Sequence, residues 1–338
     1  VVKQIFISQV GGPEVLTIKE VAKVAPQAGQ VTIAVKAIGI NFADILARRG
    51  LYPDAPPLPC VVGYEVSGVI ESVGAGVDPA QVGKAVMAMT RFGGYSEYVT
   101  ISEHQVFDKP DSLSFEQAAA IPVNYLTAQQ LIVMGGLRAG ESILIHNAGG
   151  GVGLAALDIA KKIGAKTYGT ASSSKHPFLL ERGLDVAIDY RQKDWAVELN
   201  RLTAGQGVEL ILDPLGGKHW KKSYKALRSS GRLGMFGIST ASEGGWPGRL
   251  SLLGALLGMP FFHPIRLLND NKGAFGVNMG HMWHEPEKMK TWIMELMQGL
   301  KEGWIRPHVD KAFPLAEVGA AQRYIEERKN TGKVVLVV

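Results

Sequence analysis

Residues 143–164, ILIHNAGGGVGLAALDIAKKIG, decide how this chain is read. A short apolar run, Ile143 to His146, is followed without a break by a glycine turn and an amphipathic stretch ending at Gly164. The turn carries Ala148-x-Gly150-x-x-Gly153, a dinucleotide fingerprint with alanine in first place. Glycines at such a bend let the backbone approach a pyrophosphate, and the unpaired N–H groups at the helix start face the anion. Gly150 is expected to permit that approach and Gly153 to let the helix pack tightly on the sheet, with Gly149, Gly151 and Val152 completing the phosphate-facing turn. Val152, Ala156, Ile159 and Ile163 repeat at helical spacing and predict one buried stripe. Asp158, Lys161 and Lys162 are expected on the opposite side. A nucleoside-triphosphate loop would end in Gly-Lys-Ser/Thr, and Gly153-Leu154-Ala155 offers neither side chain.

Outward from this unit, strand patterns at Lys166 to Ala171, Val186 to Asp189, Val208 to Asp213 and Arg232 to Gly237 alternate with helical ones. The helical stretches are Lys175 to Glu181, Trp195 to Leu202 and Trp220 to Leu227, and Phe275 to Met279 is a candidate sixth strand. Such alternation demands a parallel sheet covered on both faces. The first hundred or so residues differ, with alternating strands (Val31 to Ile38, Val66 to Val73, Ala85 to Met89) and glycine-proline turns, and they predict a mainly β domain of partly barrel-like form. The fold class is thus α/β: a Rossmann-type doubly wound parallel sheet plus a mainly β, partly barrel-shaped domain. Residues 123–279 are expected to form the nucleotide domain. Residues 1–122 and 280–338 are expected to form the other, with the C-terminal strand returning to it.

Among the 338 residues, 36 basic and 31 acidic side chains leave a net charge of +5. That balance suits a polyanionic cofactor as well as it suits nucleic acid. The basic run Lys218 to Lys222 reads as a solvated helix face. Cys60 is the single cysteine, so neither an intrachain disulfide nor a multi-thiolate zinc site can form, and its apolar flanks predict a buried thiol. The uncharged run Leu250 to Ile265 is shorter than the roughly 20 residues of a spanning helix and contains two prolines; it predicts a buried or subunit-facing segment. Without a basic-then-apolar leader, a cytoplasmic protein is expected.

The second strand ends in Ser172, Ser173, Ser174 and Lys175 rather than a carboxylate. An NAD site would place an acid there for the ribose hydroxyls. Hydroxyls and a lysine instead predict a 2′-phosphate pocket, hence NADP(H), with Tyr190 beside it; the serines also suit a helix cap.

The chain resembles the zinc-independent quinone oxidoreductases of the medium-chain dehydrogenase/reductase superfamily. The resemblance rests on Gln9-Val-Gly-Gly-Pro-Glu-Val-Leu16, Gly39-Ile-Asn-Phe-Ala-Asp44, Gly50-Leu-Tyr-Pro53, Gly93-Gly-Tyr-Ser-Glu-Tyr98, Asn124-Tyr-Leu-Thr-Ala128, the glycine turn and Gly332-Lys-Val-Val. Ser172-Ser-Ser-Lys-His176, Ile188-Asp-Tyr190 and Asp213-Pro-Leu-Gly-Gly217 look most like the vesicle amine transport protein homologues. The resemblance implies a GroES-like first domain, a homodimer joined through the nucleotide-domain sheets, and a small-molecule substrate in the cleft between domains.

It also implies that Asn41 and Tyr64 stand where zinc-dependent relatives carry a cysteine and a histidine, so no metal is assigned. His281-x-x-His284-Glu285 has metal-like spacing but reads as surface loop. Hydride transfer from NADPH to a quinone or an α,β-unsaturated carbonyl compound is the implied reaction. An enoyl-thioester reductase and a catalytically weak NADPH-binding interaction protein are the alternatives. Asn41 and Asp44 would lie beside nicotinamide and substrate. Asn41 would bond the cofactor or the acceptor oxygen, and Asp44 would organise the loop. Tyr52 is the first candidate donor and Tyr64 the second. Asn124 and Thr127 would touch the nicotinamide side. Leu215, Phe236, Gly237 and Ile238 would line the sugar and ring. Phe275, Gly276, Val277 and Asn330 would close over them.

Overall fold

The structure is a computed structural model and describes residues 1–242, 254 and 257–338. Of the apolar run Leu250 to Ile265, positions 250–253, 255 and 256 lie outside the described residues; in the remainder, Leu257 and Phe261 are exposed rather than buried. No helix among the described residues is long and apolar enough to cross a membrane.

The chain forms two compact units. One comprises Val1–Val123, Glu285–Lys288 and Pro307–Val338; the other comprises Asn124–His284 and Met289–Arg306. The second crossing therefore differs from the expected boundary at 280. The helix Pro286–Lys301 groups mostly with the nucleotide unit, because Met289, Trp292, Ile293 and Leu296 are buried and Glu295 accepts from Gln129.

In the nucleotide unit six strands pair in parallel. Their order is Val186–Asp189, Lys166–Ala171, Ser142–Ile145, Val208–Asp213, Leu227–Met235, Gly273–Gly276. Numbered along the chain this is 3-2-1-4-5-6, the doubly wound arrangement whose direction reverses between Ser142–Ile145 and Val208–Asp213. A ligand crevice belongs at that reversal, outside the carboxyl ends of the strands. The sixth strand begins at Gly273, earlier than the expected Phe275, and the fifth begins at Leu227 rather than Arg232.

The helix Gly151–Ile163 starts at an extended Gly150 and stops at a left-handed Gly164, but it is not two-faced as expected. Residues 153–160 are all buried, and Asp158 among them is 2% exposed. Its carboxylate is held by Arg182 Nη2 at 2.7 Å, Arg306 Nη2 at 3.3 Å and the Tyr125 hydroxyl at 2.8 Å. A buried charge persists only with such partners.

The other unit is built on a seven-stranded sheet, with Val309–Pro314, Lys333–Val337, Gln30–Gly39, Glu65–Val73, Ala85–Met89 and Val106–Asp108 in order and Tyr98–Ser102 also on Gln30–Gly39. All its pairings are antiparallel except Val309–Pro314 with Lys333–Val337. Its core holds Ile5, Ile33, Ile38, Val66, Tyr95 and Leu336. Cys60 lies in that core, and burial pushes its thiol up, away from nucleophilic chemistry.

Candidate active site

In the nucleotide unit the crevice is shaped by what its glycines cannot accommodate. A Cβ on Gly153 would stand 2.7 Å from the Ala148 carbonyl oxygen and closer still to that of Asn147, so the helix abuts the turn's own backbone. On Gly151 a Cβ would meet the Asn124 amide at 2.5 Å, and on Gly149 the Lys175 stem at 2.9 Å. The turn, Asn124 and Lys175 therefore line one cradle, kept open by the missing side chains. Thr127 and Asn124 are both buried one turn apart on the helix Pro122–Gly135. N–H groups of the first helical turn have no partner within the helix and suit a diphosphate. The donor set fits a dinucleotide.

Leu215, Gly237 and Ile238 come together past the fourth and fifth strands. A Cβ on Gly216 would touch Ile238 at 2.9 Å, and one on Gly237 would sit 2.9 Å from the Pro214 carbonyl oxygen. Phe236 donates its N–H to the Asp213 carbonyl, and Val277 donates to that of Met235, which draws Phe275, Gly276 and Val277 to the same sheet end. Asn330 belongs to the other unit, where its amide donates to the Gly332 carbonyl at 2.8 Å.

Beneath the turn lies a polar cluster that sequence reasoning missed. His146 Nδ1 is 3.0 Å from Thr170 Oγ1 and its Nε2 is 3.2 Å from Ser223 Oγ. Ser223 donates to Asp213 Oδ2 at 2.6 Å, His219 Nδ1 is 2.8 Å from that same oxygen, and Leu215 N–H donates to Oδ1 at 2.8 Å. Burial pushes His146 down to about 3, so the ring is neutral. Ligand atoms of His146, Asp213 and His219 lie within 4.8 Å of one another, but hydrogen bonds already occupy them; the cluster ties three strand ends and the Leu215 loop together. His219 thus leaves the solvated face expected of Lys218 to Lys222, and Lys222 pairs with Asp194 at 2.6 Å.

In the β unit, Asn41 caps the helix Phe42–Arg48, and its amide is fully engaged on the donor side. Nδ2 donates to Glu65 Oε1 at 3.0 Å and to the Gly39 carbonyl at 3.3 Å, while Oδ1 accepts from Lys333 Nζ at 2.7 Å. With both hydrogens used, the group offers an outside partner only an acceptor lone pair. Lys333 also pairs with Glu65, and both are buried. Glu65 and Lys333 went unread in the sequence although they sit in Gly63-Tyr64-Glu65 and Gly332-Lys333.

Zinc does not fit here. An amide and a phenol, Asn41 and Tyr64, are poor zinc donors, and the Lys333 ammonium is already the cation opposite Glu65.

Asp44 is fully buried and accepts from Asn41 N–H at 2.8 Å, Gly63 N–H at 3.1 Å and the Tyr95 hydroxyl at 3.1 Å. These donors tie the Asn41 backbone, Gly63 and Tyr95 to one carboxylate. Tyr95 in turn accepts from Gln322, which accepts from buried Arg48 at 2.7 Å. Burial pushes the Asp44 carboxyl up to about 7, against the pull of its donors and Lys333. The folded chain then keeps a proton that the unfolded chain has lost above its ordinary value of 3.8, so this stabilising contribution is full below that value and disappears as pH rises through about 7. His146 has the opposite slope, which a comparison of native with Asp44→Asn cancels. The stability difference between those two proteins, from urea midpoints, is expected to shift against the native chain between about pH 4 and pH 7. A pH-independent difference contradicts it.

Tyr64 is 6% exposed, its ring edge-on to Tyr52 at 6.1 Å and tilted against Phe92 at 5.3 Å. Burial, first, and the Tyr52 hydroxyl push its phenol far above the usual range.

Comparison with known proteins agrees with this architecture. Residues 182–336 match the family described as zinc-binding dehydrogenase, and residues 27–111 match the alcohol dehydrogenase GroES-like domain. The rat synaptic vesicle membrane protein VAT-1 homolog is 38% identical over 315 residues, which is 93% of this chain and 78% of that protein. Among solved structures, a quinone oxidoreductase of Pseudomonas syringae superposes with a TM-score of 0.87 at 32% identity and full coverage of both chains. A mycobacterial protein complexed with NADPH gives 0.87 at 29%, covering 100% of both chains. The CurK enoyl reductase gives 0.84 at 31%, covering 99% of both.

Proposed function

Because this chain belongs to the medium-chain dehydrogenase/reductase superfamily, in the group of the VAT-1 homologues and quinone oxidoreductases, we propose that it is an NADPH-dependent, zinc-independent reductase of quinones or α,β-unsaturated carbonyl compounds. The observations that carry this reading are a dinucleotide cradle in one unit and, in the other, an Asn41–Lys333–Glu65 cluster whose cation is an ammonium. Metal-assisted alcohol oxidation places a Lewis acid on the alcohol oxygen, and an ammonium held by two partners does not supply one. Bound NADPH supplies hydride, and an electron-poor conjugated carbon is its natural acceptor.

The residues orient, hold and donate. Asn41 presents only its oxygen, so it receives an N–H such as that of a carboxamide and does not stabilise an oxyanion. Donation to the developing negative charge on the acceptor oxygen then falls to Tyr52, with Tyr64 packed behind it. Asn124, Thr127 and the glycine turn hold the nucleotide, and Lys175 meets its 2′-phosphate. The edge strand Gly273–Gly276 is the place for a homodimer contact.

NADPH consumption with quinones, alkenals and enoyl thioesters tests the reading. Turnover with the first two supports it. Turnover with thioesters alone favours the second reading, enoyl reduction, which the likeness to CurK supports. Silence with every acceptor despite tight NADPH binding, or stoichiometric zinc on elemental analysis, overturns it. Lys175→Ala is expected to weaken NADPH about tenfold in a fluorescence titration and leave NADH unchanged, the loss of one charge-assisted phosphate contact. Equal weakening of both dinucleotides counts against a 2′-phosphate role.

A further inference from the structure

The second strand of the nucleotide sheet ends without a carboxylate, but its neighbour brings one to the same place. Val186–Asp189 pairs in parallel with Lys166–Ala171 so that Asp189 lies directly opposite Ala171. An acid at the end of the second strand receives ribose hydroxyls in NAD-binding folds, and here the acid arrives from the adjoining strand. Asp189 accepts from Arg191 N–H at 2.9 Å and from both the hydroxyl and the N–H of Ser173, with His176 nearby. Those donors hold it below the usual carboxylate range, so it is charged at neutral pH.

Two consequences follow for the subsite formed by Ser172, Ser173 and Lys175. Ser173 is among the groups whose hydrogen bonding lowers Asp189, which ties that hydroxyl to the carboxylate. Ser172 Oγ is 3.2 Å from Ser174 Oγ and is buried. A phosphate needs donors, whereas a ribose hydroxyl can itself donate. Lys175, lying against Gly149, is the cation of the group, and Asp189 is a negative charge at the end of the adjoining strand, opposite Ala171.

We propose that Asp189 is a specificity-determining residue: its carboxylate opposes a 2′-phosphate and engages Ser173, so that the site discriminates only moderately between NADPH and NADH. The inference rests on the reading of the glycine turn as an NADP(H) site.

Fluorescence titration of NADPH and NADH against the native chain, Asp189→Asn and Asp189→Ser tests it, with melting temperatures as a folding control. In both variants the ratio of NADPH to NADH affinity is expected to rise about three- to tenfold, chiefly through tighter NADPH, and the gain should shrink at high salt because it is electrostatic. A purely structural role for Asp189 would weaken both dinucleotides alike. If the native chain binds both dinucleotides but neither variant moves the ratio beyond twofold, the inference fails and the cofactor reading stands. If the native chain binds neither, the cofactor reading fails first and takes the inference with it.

Discussion

Lys333→Met is expected to lower folding stability by about 3–5 kcal/mol, the cost of leaving one member of a buried ion pair alone. Lys333 is 3% exposed and Glu65 is 0% exposed, so water cannot replace the missing ammonium. Glu65 would keep the Val123 N–H at 2.7 Å and the Asn41 amide at 3.0 Å, but no counter-charge. Asn41 would lose the donor on its oxygen and with it the reason for its amide orientation. The double variant Glu65→Gln/Lys333→Met removes both charges and is expected to regain about half of the loss or more, since a neutral pair no longer strands a buried charge. Urea denaturation followed by circular dichroism measures both. A single-variant loss under about 1 kcal/mol, the range of exposed pairs, would show that the pair is not the internal cation site inferred above.

Gly153→Val is expected to abolish measurable NADPH binding, a loss of about a hundredfold or more, equivalent to about 2.7 kcal/mol. The obstruction is backbone on both sides: the new Cβ would meet the Ala148 carbonyl oxygen at 2.7 Å and its carbon at 2.8 Å, with the Asn147 oxygen nearer still. Backbone cannot swing aside as a side chain does, so the helix would lift from the turn and its N–H groups would leave the phosphate. Gly151→Ala is the matched control. The nearest atoms to its Cβ belong to the Asn124 side-chain amide, at 2.5 Å, rather than to backbone. Its expected loss is about tenfold or less, by the general tolerance for small shifts against a mobile side chain. Equal losses in the two variants would mean that the turn is not held against the helix as described.

The boundaries of Val186–Asp189 and Val208–Asp213 were legible because buried parallel strands are short, largely apolar runs cut off by turn residues. The glycine turn was legible for the same local reason: Gly150 and Gly153 are required by backbone that lies within a few residues of them. Asp158 was misread because helical spacing assigns a side but says nothing of what covers that side; Arg182 and Arg306 lie far along the chain. Asp189 was read as the end of a strand, and only the parallel register set its carboxylate beside Ala171.

What the chain's order of residues determined by itself is the alternation of strands and helices and the phosphate-facing bend, since each depends on neighbours within one element. Only the tertiary structure decided the charges that run the site. Lys333, Asn41 and Glu65 meet because Lys333–Val337 pairs with Gln30–Gly39, which pairs with Glu65–Val73, so Val335 faces Gly39 and Gly39 faces Glu65. Sheet register joins positions hundreds of residues apart, and spacing along the chain carries no record of it.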